Sequence, residues 1–405
     1  MTQSVIARFV TARALNTFGR AVISATVGWE LFARTGDPLV FAYVGAVQVL
    51  PVLLLFTWSG ALADRSDRRK LAGFAATGTG LIGLGLGVAS WLHAPVPTYL
   101  VLLLALGCMT SVHAPSASTV FPLIVPREDL ERGNRAVSSF SELALITGPT
   151  LAGLALAVVH ASFVYAVVAL TGLATGILYR TLPVPRVIAS TGGAAARRDW
   201  RTGLRFIFRS PLLLPALTLD MFAVLFAGVT ALMPAIATDI LHTGPIGYGF
   251  LRAAQSFGAV LSAVVTGRIR PWVRPGRVLL VVVALFAVAT IGIGLSRSLP
   301  LTVALLVACG ALDNVSVVIR LTLEQIVVPD AIRGRVGAVN FVFIGMSNEL
   351  GGAESGLAAH LFGAPGSIIG GGVLALVVVG IVALKFRALV TMPPLAELQP
   401  HPEPD

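Results

Sequence analysis

The sequence predicts an all-α membrane protein, with twelve transmembrane helices in two pseudo-symmetric six-helix bundles. Three observations lead there. Apolar residues make up 56% of the 405 and charged residues only 12%, with a mean hydropathy of +0.88; a soluble domain carries roughly a quarter charged residues. Apolar runs of about 20 residues, enough to cross a ~30 Å hydrocarbon layer, recur along the whole length. The two halves of the chain also repeat each other at a near-constant offset.

Polar breaks delimit the helices at 8–33, 39–62, 71–92, 97–121, 135–159, 161–183, 211–240, 247–267, 278–297, 299–325, 335–361 and 365–386. No cleavable leader is expected, because Met1 to Phe9 has no basic stretch before a short apolar core. Some connections are short, as at "HAPVP" (93–97) and "HAS" (160–162), while others are longer and basic. With both termini placed in the cytoplasm, only Arg34 and Arg297 face the opposite side. Arg13, Arg20, Arg252 and Arg320 lie within spans, which leaves 23 of the 29 Lys and Arg on the cytoplasmic side. That asymmetry is the positive-inside pattern, and it predicts a multi-pass protein; the setting expected for it is the bacterial cytoplasmic (inner) membrane. It also accounts for the net charge of +10 without nucleic acid, and the lipid bilayer is the partner it implies. Cys108 and Cys309 both fall in apolar runs and read as packing residues, not as a disulfide or a metal site.

The repeat is visible at three places. "GALADRSDRRKL" from Gly60 matches "GRIRPWVRPGRVL" from Gly267, an offset of 207; "VPREDLERGNRAV" from Val125 matches "VPDAIRGRVGAV" from Val328, an offset of 203; and Glu142-Leu143 and Glu349-Leu350 are again 207 apart. Parallel halves of this kind are a transporter architecture. The expected division is a bundle over 1–183, a cytoplasmic linker over 184–210, a second bundle over 211–387 and a disordered tail over 388–405. In the linker, Arg198, Arg201, Arg205 and Arg209 share one helical face with Trp200, Leu204, Ile207 and Phe208 mostly elsewhere. This predicts a basic amphipathic helix on the anionic leaflet, with an ordinary solvated connector as the alternative.

"GALADRSDRRK" puts six charges into eleven residues. A topogenic anchor explains its Arg and Lys but not Asp64 or Gly60. The combination resembles the signature loop of the major facilitator superfamily, and the basic loop at Gly267 stands where that family repeats it. The resemblance implies a conformational latch formed by Gly60, Asp64, Arg65 and Arg68 against the start of helix eleven near Arg333 and Arg335. Asp67 departs from the family, where Gly is more usual. The runs "PREDLERGNRAVSSFSELALITGPTLAG", "GLRFIFRSP", "PDAIRGRVGAVNFVF" and "SNELGGAESG" resemble the subfamily of enterobactin-type siderophore exporters and macrolide-efflux pumps. Gly148-Pro149 with Gly153 partly matches the helix-five motif of proton-coupled exporters, Ala144 standing where its leading Gly would be.

A charge at the bilayer centre costs about 2.5–3.5 kcal/mol, so each one within a span calls for a partner or a wet cavity. Helix one carries Arg13, Asn16 and Arg20 on one face. Helix five carries Glu142, seven Asp220 and eight Arg252; helix ten carries Asp313, Arg320 and Glu324; and helix eleven carries Asn340, Asn348, Glu349 and Glu354. Helices three, six, nine and twelve carry no interior charge; in the superfamily these are the peripheral helices. The pairings expected are Arg20 with Asp220, either switching between states or permanent; Arg320 with Glu324, four residues on; and Arg252 with Glu349 and Glu354. A carboxylate left without a cation becomes a proton carrier, for which Asp313, Glu142 and Glu349 qualify, and Asp220 if Arg20 releases it. His113 reads as a packing or hydrogen-bonding residue, with titration as the alternative.

No Walker loop, zinc-ligand spacing or Ser/His/Asp set is present, so no enzyme is expected. The resemblance and the charges together imply a secondary active transporter that needs no cofactor and is driven by the proton gradient. It is expected to act as a monomer, exchanging protons for a small amphipathic molecule, siderophore-like or a drug. One proton moving down 100 mV supplies roughly 2.3 kcal/mol. Three alternatives stay open: a lipid or lysolipid flippase, an importer of the same fold, and a non-transporting receptor. The last predicts unchanged flux when Asp220 or Asp313 is neutralised.

Overall fold

The computed structural model describes residues 2–125, 129–183, 200–266, 268, 272–329 and 332–399, and no strand occurs among them. Helices are what lipid permits, since every backbone N–H and C=O must be satisfied within the segment. The first six are α1 (Thr2–Thr35), α2 (Leu39–Arg65), α3 (Arg68–Trp91), α4 (Val96–Ile124), α5 (Leu130–Leu156) and α6 (Ala161–Arg180). After them come the short α7 (Trp200–Arg209), α8 (Leu213–Ala227), α9 (Gly244–Thr266), α10 (Pro275–Leu295), α11 (Leu299–Val327), α12 (Arg333–Lys385) and a one-turn α13 (Arg387–Val390). Among the described residues nine helices are long and apolar enough to cross a membrane. The last of these, Phe343–Lys385, has 43 residues, which at 1.5 Å per residue is about twice the hydrocarbon thickness. It holds two spans, broken where Gly363 takes φ 75° and ψ 159°, a region open essentially only to glycine. With α1, α2 and the second arm of α12, the twelve expected helices are accounted for.

Predicted helix seven (211–240) is not continuous. It stops at Ala227, and Gly228 leaves the helical region with ψ 93°. The chain then runs on through a 3-10 turn at Val229–Leu232, one α turn and a π turn at Ile236–Ile240. Pro234 cannot donate to the preceding turn, and with Gly228 it explains the break. Interrupted helices of this kind are common where a transporter holds its substrate.

The chain forms two compact units. The first comprises Met1–Gly36, Ala46–Gly193 and Thr243–Ala253, the second Asp37–Gly45, Ala194–His242 and Ala254–Asp405. The division expected at the linker is therefore crossed twice, the start of α9 going with the first unit and the start of α2 with the second. Small residues make both exchanges possible. A Cβ on Gly153 in α5 would overlap Gly249 Cα of α9, and one on Gly356 in α12 would press on the backbone of Phe41 and Ala42 in α2.

In the first unit Phe9, Phe121 and Tyr179 join α1, α4 and α6, with ring centroids 4.9 Å apart for Phe9–Phe121 and 6.1 Å for Phe9–Tyr179. In the second, Leu213, Leu219, Leu323, Val327 and Val336 form the core and are at most 1% exposed. The amphipathic linker helix α7 belongs to that core. Phe206 and Ile207 are buried in it, and Gly203 lies against the backbone of Arg335 and Val336. Its apolar face thus meets protein where the sequence predicts a lipid leaflet, while Arg205, Phe208 and Arg209 stay exposed. The tail also differs from the disorder expected of 388–405. Leu389 and Met392 are buried in the same core, and the Val390 carbonyl accepts from Arg277 Nε at 3.3 Å.

Candidate functional site

In the second unit α8 and α11 bring together a buried charge cluster. The Arg320 guanidinium meets Asp220 Oδ1 at 2.6 Å, both side chains less than 10% exposed, and its Nε donates to Ser316 Oγ at 3.2 Å. Ser316 sits four residues before Arg320, one turn back on the same helix face. Asp313, three residues before Ser316, lies in the field of both Asp220 and Arg320. Asp220, Asp313 and Ser316 line a small cavity closed on its other sides by apolar groups that include Val224, Val283 and Phe286. Asp220 and Asp313 thus line one small cavity, and Arg320 is paired with the first of them. One turn beyond, Asn340 Nδ2 donates to Glu324 Oε2 at 2.6 Å, while the buried Oδ1 atoms of Asn314 and Asn340 accept from no donor.

The contacts within the second unit correct one expected pairing, that of Arg320 with Glu324. Arg320 takes Asp220, because α8 and α11 present the two side chains to each other within one unit. Glu324 takes the Asn340 amide in place of an ion pair with Arg320. Within the first unit Arg252 Nε donates to Tyr248 Oη at 3.2 Å and its Nη2 to Ser24 Oγ at 3.4 Å. Glu354 Oε2 accepts from Ser355 at 3.4 Å, and Asn348 donates back to the Ile344 carbonyl at 2.9 Å. Glu349 stands on the next position of α12, half-buried.

In the first unit α1 keeps Arg13 and Asn16 half-buried and Arg20 exposed along one face. His113 of α4 is buried, its Nε2 without a hydrogen-bond partner. It meets the Tyr179 ring edge-on at 5.6 Å. Glu142 of α5 is exposed. Gly148 sets α5 against Ala21 and the Phe18 carbonyl of α1, and Pro149 is accommodated inside α5, so Gly148, Pro149 and Gly153 all serve helix packing. Of the latch, the side chains of Gly60, Asp64 and Arg65 lie outside the described residues. Arg68 opens α3. Asp67, the departure from the family pattern, is its N-cap: Oδ1 accepts from the Arg69 and Lys70 amides at 3.1 and 3.2 Å, the arrangement a helix start favours.

Sequence reasoning missed Glu30. It is 7% exposed, and its Oε1 accepts from Ser90 Oγ at 2.7 Å, Tyr99 Oη at 2.9 Å and Arg34 Nη2 at 2.9 Å. Arg34 also donates to the Ser90 and Ala94 carbonyls, each at 3.1 Å, and lies 5.3 Å over the Tyr99 ring. The network ties α1, α3 and α4 together at one end of the bundle. The Glu30/Arg34 spacing of four was the available signal.

The comparisons agree with this architecture. The model of the transmembrane secretion effector family matches residues 1–404. The enterobactin exporter EntS of Escherichia coli is 30% identical over 290 residues, covering 69% of this chain and 67% of its own length. Macrolide efflux protein A of Streptococcus pyogenes is 23% identical over 316 residues, covering 75% and 76%. Among solved structures, an inward-facing bacterial homolog of the human lysosomal transporter Spinster superposes with a TM-score of 0.76 at 14% identity, covering 96% and 98%. The xylose transporter XylE of E. coli superposes at 0.68, also at 14% identity, covering 98% and 99%. Membrane-spanning helices along the whole chain, buried charges within them and a whole-length family match lead to one conclusion: the chain belongs to the transmembrane secretion effector family of major facilitator superfamily transporters.

Proposed function

We propose that this transporter is a proton-coupled exporter of a small amphipathic molecule, a siderophore-like metabolite or a drug, working by alternating access. The observation that carries the coupling is the charge count at the cavity, which Asp220 and Asp313 both line while Arg320 pairs with Asp220. A carboxylate beyond charge balance in a membrane interior is costly unless it takes up a proton or a cation. Proton uptake at Asp313 leaves Arg320 wholly to Asp220, and proton release makes the two acids compete for it. That competition biases a two-state element, as switching between access states requires. The export direction is supported by the export functions printed for its relatives. The basic loops support an inner-membrane setting with both termini in the cytoplasm.

The test compares cells and spent medium by untargeted mass spectrometry for wild type, a deletion strain, and the deletion restored with wild type or Asp313→Asn. A compound retained inside the deletion and Asp313→Asn strains, and released by the restored wild type, supports coupled export. Release by Asp313→Asn at the wild-type rate removes Asp313 from coupling, and a compound left unconsumed outside reverses the direction.

A further inference from the structure

We infer that His93 and His160, at one end of the first unit, form a two-histidine site for a divalent transition-metal ion of the copper, nickel and zinc class. The inference is independent of transport and rests on the first unit alone.

The two side chains come from turns far apart in the chain. His93 follows α3, His160 precedes α6, and both are exposed. Their ring centroids stand 5.9 Å apart, with the planes tilted by 49°. An ion about 2.0–2.1 Å from a ring nitrogen lies about 3.2 Å from that ring's centre. Two rings that share one ion therefore have centroids about 4.5–6.4 Å apart, for nitrogen–metal–nitrogen angles between about 90° and about 180°. The observed spacing falls within that range. It also suits simple ring packing, which the variants below separate from metal binding.

Both rings are held by their surroundings. The amides of His93 and Ala94 donate to the Ser90 and Ala89 carbonyls at 3.2 and 2.8 Å, the bonding of a Schellman end. That end needs a left-handed residue, usually glycine, and His93 supplies it with φ 53°. Arg34 braces the same turn through the Ser90 and Ala94 carbonyls, and its charge is met by Glu30, so it does not oppose a cation. Trp91 serves both rings: its carbonyl lies 3.1 Å from His93 Nδ1, and its own ring meets His160 edge-on at 6.0 Å. A carbonyl only accepts, so neutral His93 carries its proton on Nδ1 and keeps Nε2 bare, the state in which metal-bound histidines are held. His160 Nδ1 stands 2.9 Å from Ser162 Oγ, and donating to that hydroxyl leaves its Nε2 bare as well. In the other tautomer it accepts from the Ser162 amide at 3.4 Å, a long bond that the ion displaces. Neither Nε2 makes a hydrogen bond among the described residues. Imidazole suits copper, nickel and zinc, with Cu²⁺ held most tightly, whereas Mg²⁺ and Ca²⁺ take oxygen ligands. No third His, Cys, Asp or Glu joins the pair among the described residues, and the exposure of both rings leaves the other positions to water. A bound ion ties the connection between α3 and α4 to the start of α6.

The experiment uses the full chain, purified without a histidine tag into phosphatidylcholine nanodiscs, and Cu²⁺ alone as the probe. Calorimetry is expected to show a site in the wild type at least about tenfold tighter than in His93→Gln or His160→Gln, and unchanged in His242→Gln. Electron paramagnetic resonance of the Cu²⁺-loaded protein should show two imidazole nitrogens in the wild type, and one or none in each of the first two variants. His93→Gly separates ligand loss from misfolding. Glycine suits the left-handed position, so this variant should melt without metal at or above the wild-type temperature and still lose the site. Wild-type affinity in His93→Gly or in either glutamine variant overturns the inference, because the site then lies elsewhere. A wild-type spectrum with a single imidazole nitrogen also overturns it, because the two rings then merely pack.

Discussion

Glu30 and Asp37 stand seven residues apart and show what burial does to a carboxylate. Glu30 is enclosed by Arg34, Ser90 and Tyr99, and Glu30→Gln leaves Arg34 without its counter-ion. Breaking a fully buried pair costs about 3–5 kcal/mol. Arg34 is 24% exposed, so the expected loss is smaller, about 2 kcal/mol. A lowered melting temperature of the purified protein, partly recovered when Arg34 is also made Leu, is the check. Asp37 lies in the connection before α2. Its carboxyl is held below the ordinary 3.8, first by the Leu39 amide that it accepts at 2.9 Å and also by His360, 2.8 Å away. A depressed value in the folded state means that its contribution is present above pH 3.8 and is lost as the pH falls through the lowered value. Asp37→Ala should therefore lower stability at neutral pH and narrow its gap to wild type in the acid limb. A constant gap down to pH 2 would contradict this. Asp37 and Leu39 are two residues apart, so that contact was legible in the sequence. The His360 contact spans 323 residues and was not.

Among the elements, α5 and α9 are held together by the absence of side chains. Gly153 faces Gly249 so closely that any Cβ overlaps, and Gly153→Val forces the two helices apart. Overpacking of this kind costs about 1–3 kcal/mol. The expected result is a lower melting temperature, with release of the Thr243–Ala253 segment to limited proteolysis; an unchanged protein would show that the contact yields freely. The two breaks in the second half were readable to different degrees. The Gly363–Pro365 pair lies between the predicted ends at 361 and 365, because glycine followed by proline interrupts a helix wherever it falls. Gly228 and Pro234 sit in an unbroken apolar run, and hydropathy is blind to backbone direction. The same blindness affects α7, whose face pattern marks it as amphipathic without saying whether lipid or protein covers Phe206 and Ile207.

For the whole molecule, the proposed mechanism depends on an unequal distribution of charge. The first unit gathers guanidiniums on α1 and α9; the second lines one cavity with two acids, of which Arg320 pairs with one. The Asp313→Asn comparison tests the half of it that concerns protons.

The sequence by itself determined the class, the number of spans, the loop asymmetry and the list of residues that carry charge into the membrane. These follow from composition and local order, since a hydrocarbon layer penalises every polar group that enters it, whatever its neighbours. Tertiary structure alone decided the partners: Asp220 with Arg320, Glu324 with Asn340, Arg252 with Tyr248 and Ser24. A partner depends on the rotation of two helices about their axes and on their approach within about 3 Å. Both are set by packing among residues far apart in the chain, which no reading along it contains.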